Sequence, residues 1–468
     1  MFRRAARKIP AYRKFLEEHN LKPEEIQNID DFNRLVPQTT KGNYARAFSL
    51  KERCIDGQFP RNMYLEESSG TSGTSAFWVR SEEEEKYTMS LMRASFLHLY
   101  GFRREQNFFV LNCFLLGGWT GGMRFASRVG SLASVKNIGP DPDKVIRCVK
   151  ELGKDFTYLI SGYPPFIIEL IEFGKKLNGF SWKEYRIHIF AGGEGFVEEW
   201  RDYIASQLKE GALIYSDYGA IDLDAGISVE TPFSVALKKL ILQDPELRIE
   251  IFGSDRIPCY IGQYSNQQYY IRDLKNKDGR NELEITVMNL KSASPNIKYL
   301  IGDEGGVIRF QDIINILGKM QYPVSKIKND FGISAVIPFP LIWLFGRNDG
   351  TVMIHGAMIS PGEISRSILS DAELVSAINT FRISVEPGRD NLIKLYISLE
   401  ARKDVQVTDM LTTKCSDVIL DSLIEYNECF RNSYRKDPVL HKPVITLVPF
   451  RTGVFSEGNN VNKHSYKL

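Results

Sequence analysis

From about residue 80 to 220 the apolar positions of the chain switch repeatedly between two rhythms. Continuous or nearly continuous apolar runs at Phe108–Leu116, Tyr158–Ser161, Arg186–Ala191 and Leu213–Ser216 alternate with stretches whose apolar residues recur at helical spacing. The first kind suits strands buried on both faces, the second helices with one buried stripe. Start signals agree with this reading. Ser81 and Glu84 form a capping box ahead of Tyr87, Leu91, Met92 and Leu99, and Asp141-Pro142 supplies an N-cap and a first-turn proline for a helix through Leu152. Further helices are expected over Pro165–Leu177 and Glu198–Lys209. The alternation predicts an α/β fold whose mainly parallel sheet is covered by helices. Such sheets hold ligands at the C-terminal ends of their strands.

After residue 225 the texture changes. Gln267–Asp273 and Glu282–Met288 read as strands joined through Lys277-Asp278-Gly279-Arg280, a turn with the Asp-Gly signature, and Val307–Phe310 adds another. A small antiparallel β subdomain is expected here. Gly346-Arg347-Asn348-Asp349-Gly350 is a polar break between the apolar run Pro338–Phe345 and a strand at Thr351–His355. It divides the chain into a large N-terminal domain, 1–346, and a small mobile α+β C-terminal domain, 347–468. The latter is expected to hold helices near 361–380 and 407–431 and strands near 391–400 and 443–449. The stretch 235–265 fits neither rhythm.

Composition narrows the classes of function. A chain of 468 residues exceeds one ordinary domain, and its 43% hydrophobic and 25% charged content is that of a globular protein, neither disordered nor fibrous. The 60 Lys+Arg against 58 Asp+Glu leave a net charge of +2, which gives no reason to expect nucleic acid or a membrane surface as partner. No apolar run approaches the roughly 20 residues of a membrane span. The basic start, Arg3 to Lys8, leads into Ile9-Pro10-Ala11-Tyr12 and then Glu17 and Glu18, unlike a signal peptide. Six scattered cysteines without a CxxC pair read as free thiols in a reducing compartment, so a cytoplasmic location is expected. The six histidines are isolated and none has zinc-site spacing.

The densest local signal is Ser68-Ser69-Gly70-Thr71-Ser72-Gly73-Thr74-Ser75, set between Tyr64-Leu65 and Phe77-Trp78-Val79. Small residues let a backbone approach an anion, and N–H groups and hydroxyls donate to phosphate oxygens. No Gly-Lys-Ser/Thr follows, so it is not a Walker loop, and its composition also suits a surface linker. Further along lie Gly192-Gly193-Glu194 after a strand, Asp217-Tyr218-Gly219-Ala220-Ile221-Asp222, Lys298-Tyr299-Leu300-Ile301-Gly302-Asp303, and Gly346-Arg347-Asn348-Asp349 with His355-Gly356. In this order the segments resemble the phosphate-binding, adenine-pocket, YGxTE, RYxxGD and hinge motifs of the adenylate-forming (acyl-CoA synthetase) superfamily. The phenylacetate–CoA ligase-like group is the nearest in form, and Ile9–Arg13 and Leu35-Val36-Pro37 are similar to it as well.

The resemblance implies an ATP-dependent ligase that makes an acyl-adenylate from a carboxylic acid and passes the acyl group to a thiol, with coenzyme A as the default acceptor. A carrier-protein thiol, an amine acceptor, and a nucleotide-binding member without turnover remain open, and a homodimer is compatible with it. Ser68 to Thr74 would hold the ATP phosphates. Gly192, Gly193, Glu194, Asp217, Tyr218 and Gly219 would line the adenine, and Asp303 and Arg347 would hold the ribose. Asp222 would bind Mg²⁺, with Asp224 as a rival. Asp349 would be the hinge and Gly356 the thiol face. An apolar or aromatic acid would lie among Trp119, Gly121, Tyr163 and Pro164. The chain departs from the family at Ile221 and Asp222, where Thr and Glu are expected, and at Asn459, which follows Ser456-Glu457-Gly458 where the catalytic lysine should stand. Lys463, or else Lys467, would take that lysine's place.

Overall fold

The computed structural model describes residues 1–68, 76–101, 107–116, 120–193, 195–196, 198–254, 256–276, 279–347, 350–355, 357–388, 392–456 and 466–467. The chain divides into two compact units whose main segments adjoin in sequence between Gly346 and Arg347, the second also taking in the short segment Pro165–Glu169.

In the first unit, a hairpin pairs β1 (Tyr64–Ser68) with β2 (Ala76–Arg80). The large sheet begins with β3 (Phe108–Asn112), β4 (Ser134–Asn137), β5 (Thr157–Gly162), β6 (Arg186–Ala191) and β7 (Ile214–Ala220). These five are mutually parallel in the order β7-β6-β5-β3-β4. β8 (Asp224–Val229) turns back antiparallel on β7, and the sheet continues through β9 (Tyr260–Tyr264), β10 (Tyr269–Lys275), β11 (Asn281–Val287), β12 (Tyr299–Ile308) and β13 (Leu341–Arg347). The full order is β10-β11-β12-β13-β9-β8-β7-β6-β5-β3-β4. The expected α/β class holds, and the antiparallel strands are the second half of one eleven-stranded sheet.

Local chemistry sets the boundaries. Ser81 and Glu84 close the capping box of helix Glu82–Tyr100, and the Asp141 side chain caps Pro142–Leu152. The apolar run from Phe108 is strand only as far as Asn112, whose side chain bonds Gly122 O and Asn137 Oδ1. Val307 and Ile308 are the last residues of the long strand β12, and Phe310 opens the helix Phe310–Lys319. The unassigned stretch 235–265 holds helices Pro232–Gln243 and Pro245–Phe252, then β9. The break between the helices is Asp244-Pro245, where the aspartate caps Leu247 N and the proline starts a new helix.

The second unit has a sheet ordered β18-β17-β16-β19, made of β16 (Ile378–Pro387), β17 (Ile393–Ala401), β18 (Val444–Val448) and β19 (Tyr466–Lys467), and a hairpin of β14 (Val352–Ile354) with β15 (Ala357–Ile359). Each of the two expected helices is split. Asp371 caps a fresh helix Ala372–Ala377 after Pro361–Leu369, and Asn427 caps Glu428–Lys436 after Asp409–Tyr426. Ile364, Ile368, Phe381, Ile397, Cys415 and Ile419 are among the buried residues of this unit's own core.

Within it, His355 (φ 47°) lies buried with its ring 4.4 Å from that of His441. Burial, then the neighbouring His441, lowers its pKa from 6.5 to about 4. Below pH 6.5 the unfolded chain takes up a proton that folded His355 refuses, so stability falls as pH drops toward 4 and is fully present above 6.5. The expected loss is roughly 3 kcal/mol, read as the unfolding midpoint of this unit against pH, and His355→Gln should flatten that profile.

All six cysteines are free thiols. Among the described residues, no helix is long and apolar enough to cross a membrane, and no cluster of three metal-binding side chains occurs.

Candidate functional site

The C-terminal ends of the parallel strands bring expected residues together. β5 runs into Tyr163, β6 into Gly192-Gly193, and β7 carries Asp217 and Tyr218. An Asp217 carboxylate oxygen and the Phe114 ring occupy the space that a Cβ on Gly192 would need, so only glycine lets the two strands close here. Gly193 takes φ 83°, and a Cβ on it would stand 3.7 Å from the Tyr163 ring. The Tyr163 hydroxyl accepts from Leu115 N at 3.1 Å, and its ring meets Phe114 edge-on at 6.0 Å. Part of Asp217 reaches solvent, but its carboxylate is enclosed. Burial raises its pKa to about 7 against the smaller opposing pull of its own backbone N–H and Arg128. Near neutrality it can therefore accept a hydrogen bond or, protonated, donate one.

The decisive contact joins two segments 85 residues apart in sequence: the Tyr218 hydroxyl donates to Asp303 Oδ2 at 2.6 Å, with both residues buried. Asp303 lies on β12 after Gly302, whose φ of 83° turns the strand at that point. The Tyr218 ring lies 6.1 Å from Tyr260, tilted by 47°. A carboxylate has two acceptor oxygens, and one of Asp303's takes the Tyr218 hydroxyl here. Lys298 and Tyr299 of the same run make other bonds. Lys298 Nζ donates to Asn33 O at 2.8 Å and Val36 O at 2.7 Å, at the C-terminal end of the helix Ile29–Leu35, and Tyr299 OH donates to Asp222 Oδ2 at 2.5 Å.

Asp222 is buried, and the same Oδ2 also faces Lys41 Nζ at 3.3 Å. Its negative charge is thus already matched by an ammonium and a hydroxyl donor.

The hydroxyl-rich segment leaves from Ser68 and re-enters at Ala76, which face each other in the β1–β2 hairpin, and Ser68 Oγ donates to Ala76 O at 3.2 Å. Ser69 to Thr74 themselves lie outside the described residues, as do Trp119, Glu194, Asp349, Gly356 and Lys463. The hairpin is nevertheless fastened to the site. Ala76 and Trp78 belong to one buried cluster with Tyr218, Tyr260, Tyr299 and Ile301. Arg80 reaches across to donate to Ile221 O at 2.7 Å, inside the 217–222 motif, while pairing with Glu66 at 3.0 Å and Glu84 at 3.7 Å. Arg124 and Arg128 of the helix Thr120–Val129 pair with Glu85, and Arg124 also lies 3.4 Å from Glu66. Three arginines and three glutamates, all buried, therefore bind the hairpin to two helices and to the Tyr218 strand. Their sequence signal was faint, because charged residues beside apolar ones look the same whether solvated or enclosed.

Of the remaining expected residues, Pro164 opens the helix Pro164–Lys175 and Gly121 has open space around its Cβ position. Gly219 is exposed on β7, and Arg347, the last residue of β13, begins the main segment of the second unit. A polar cavity of about 350 Å³, lined by Tyr100, Asn107, Asp155, Arg186 and His188 among others, opens at the opposite, N-terminal ends of β3, β5 and β6 and contains none of the expected residues.

Comparison with known proteins places this geometry. No family model matches the chain, and no curated protein matches it significantly. A 2-hydroxyisobutyryl-CoA ligase solved with 2-HIB-AMP and CoA in the thioesterification state is similar, with a TM-score of 0.60 at 16% identity over 96% of this chain and 83% of that one. The chain has the adenylate-forming ligase fold. The same ligase in the postadenylation state with R3-HIB-AMP gives a TM-score of 0.54 at 15% identity, over 96% of this chain and 84% of that one. In this adenylate-forming fold, the parallel-strand ends, β12 and the hairpin are the elements that converge on Tyr218 and Asp303.

Proposed function

We propose that the chain is an adenylate-forming ligase that activates a carboxylic acid with ATP. The observation that carries this reading is the buried Tyr218–Asp303 pair beside the Gly192-Gly193 turn, on the same body that anchors the β1–β2 hairpin. Adenine would lie against Tyr218, the ribose hydroxyls would donate to Asp303, and the triphosphate would run toward residues 69–75. A carboxylate oxygen of the acid attacks the α-phosphorus, the bond to the bridging oxygen of the β-phosphate breaks, and pyrophosphate leaves. The acyl-adenylate carbonyl is then open to a thiolate, which forms the thioester and expels AMP. Coenzyme A is the acceptor we favour, as the similar ligase was solved with CoA; a carrier-protein thiol or an amine needs the same first step. Phe114 and Tyr163 beside Gly193 favour an apolar or aromatic acid.

We assign residues 1–346 to adenylation and 347–468 to a lid that pivots at Asp349, with Arg347 on the ribose, Gly356 on the thiol side and Lys463 on the reacting carboxylate and α-phosphate. Such hinge closures can build one site twice. Magnesium favours carboxylates and phosphate oxygens. Asp222, with Lys41 and Tyr299 on its Oδ2, does not fit a magnesium ligand as it is arranged here. That arrangement, together with Ile221 and Asn459, favours a second reading: a nucleotide-binding protein without turnover. Exchange of labelled pyrophosphate into ATP across a panel of acids separates the two. At least one acid should support exchange. Tight ATP binding with no exchange for any acid would establish the binding protein instead.

A further inference from the structure

We propose that Lys238 is a positioning residue of the nucleotide site, its buried ammonium fastening together the backbone segments that flank the adenine. The proposal rests on the reading that ATP occupies the Tyr218–Asp303 site. Lys238 lies on the helix Pro232–Gln243, within the stretch whose pattern predicted nothing, and is 2% exposed. Its Nζ donates to Phe196 O at 2.8 Å and Cys259 O at 3.1 Å, and lies 3.2 Å from a Glu198 carboxylate oxygen. An ammonium has three N–H groups, and here each has an acceptor.

The two carbonyls belong to different segments beside the Tyr218 strand. Phe196 follows Gly192-Gly193 in sequence, and Cys259 precedes Tyr260, the ring beside Tyr218. The segments touch, since a Cβ on Gly195 would stand 2.9 Å from Cys259 Sγ. Glu198 is held in turn by Arg201 at 2.8 and 3.1 Å, and Arg201 reaches Glu230 at 2.7 Å. The other oxygen of Glu230 accepts from Ser216 N at 2.8 Å, one residue before Asp217. Two cations and two carboxylates, all buried, thus connect the glycine turn, β7 and β9 behind the adenine position. A buried lysine is retained only where its charge is matched, and a methionine would fill the same stem volume. What the ammonium adds is the join between carbonyls.

The test compares AMP and ATP binding by calorimetry in wild type and Lys238→Met, well below the melting midpoint of each. Met keeps the stem, and Glu198 keeps Arg201. Both affinities should fall by about tenfold, and by the same factor, because only the nucleoside end is loosened. A role in stability alone would lower the melting temperature and leave both affinities unchanged, and that result overturns the proposal. A loss for ATP without one for AMP also overturns it. Should Lys238→Met fail to fold, Lys238→Gln is read by the same criterion, with a loss of at least about threefold expected because its shorter amide cannot span both carbonyls. A wild-type protein that binds neither nucleotide defeats the underlying reading. A wild type that binds, with Asp303→Ala weakened and Lys238→Met unchanged, defeats the role of Lys238 alone.

Discussion

Replacing Asp303 with alanine is expected to lower ATP affinity by about a hundredfold or more while the protein remains folded. The estimate follows from what the carboxylate does. Hydrogen bonds to a charged acceptor contribute roughly 1.5–3 kcal/mol each, and in the proposed site Asp303 would accept from both ribose hydroxyls. Losing two gives about 3 kcal/mol or more, beyond two factors of ten in affinity. A second loss compounds the first. The buried Tyr218 hydroxyl donates to Asp303 Oδ2, and the alanine variant removes that acceptor from the ring on which the proposed adenine would lie. Asp303→Asn, which keeps shape and one carbonyl oxygen, should fall between wild type and alanine. Calorimetric titration with ATP, alongside a melting curve for each variant, checks the ordering. Equal ATP affinity in all three proteins would mean that Asp303 does not touch the nucleotide.

The largest stability effect is expected for Arg80→Met. The buried group of Glu66, Glu84, Glu85, Arg80, Arg124 and Arg128 is balanced, three charges of each sign. Removing one cation leaves a net negative charge in a low-dielectric interior, with Glu84 losing its contact with Arg80 and Ile221 O losing a donor. Breaking a buried pair from one side costs about 3–5 kcal/mol. The first unit should therefore unfold at a clearly lower denaturant concentration, and the transition of the second unit should stay in place. Adding Glu84→Gln removes the unmatched charge and should recover part of the loss. A change of less than about 1 kcal/mol, the range of an exposed ion pair, would show that these side chains are hydrated in solution. Because Arg80 ties β2 to the 217–222 segment, the same variant should also bind ATP more weakly at temperatures where it is still folded.

Much of the first unit was legible as pattern because strands buried on both faces and one-sided helices have different apolar periods. Arg186–Ala191 was read with its ends in place, and the Ser81–Glu84 and Asp141 caps act as expected. The misreadings share a cause. In 361–380 and 407–431, each read as one helix, Asp371 and Asn427 cap a new helix, and in the unassigned 235–265 Asp244 does the same. A side chain that bonds the backbone cannot be told from a solvated one by its letter alone. Of the antiparallel strands, β10, β11 and only the end of β12 were recognised, β8, β9 and β13 were not, and their continuation of the parallel sheet depends on the β7–β8 turn, which no local pattern encodes. At the site, Tyr218 and Asp303 were legible as motif members, while their pairing across 85 residues is a property of the folded sheet. Arg80 gave only a faint signal and Lys238 none, since a charge is informative only once its burial is known.

These features make one claim about place: a single ATP molecule spans from the Tyr218–Asp303 pair to the loop between Ser68 and Ala76. The most direct measurement is a crystal structure with bound ATP. The account expects adenine between the Gly192-Gly193 turn and the Tyr218 ring, ribose oxygens at roughly 2.5–3.0 Å from the Asp303 carboxylate, and the triphosphate against residues 69–75. Nucleotide density in the polar cavity lined by Arg186 and His188 instead, with Asp303 still bonded only to protein, would contradict it.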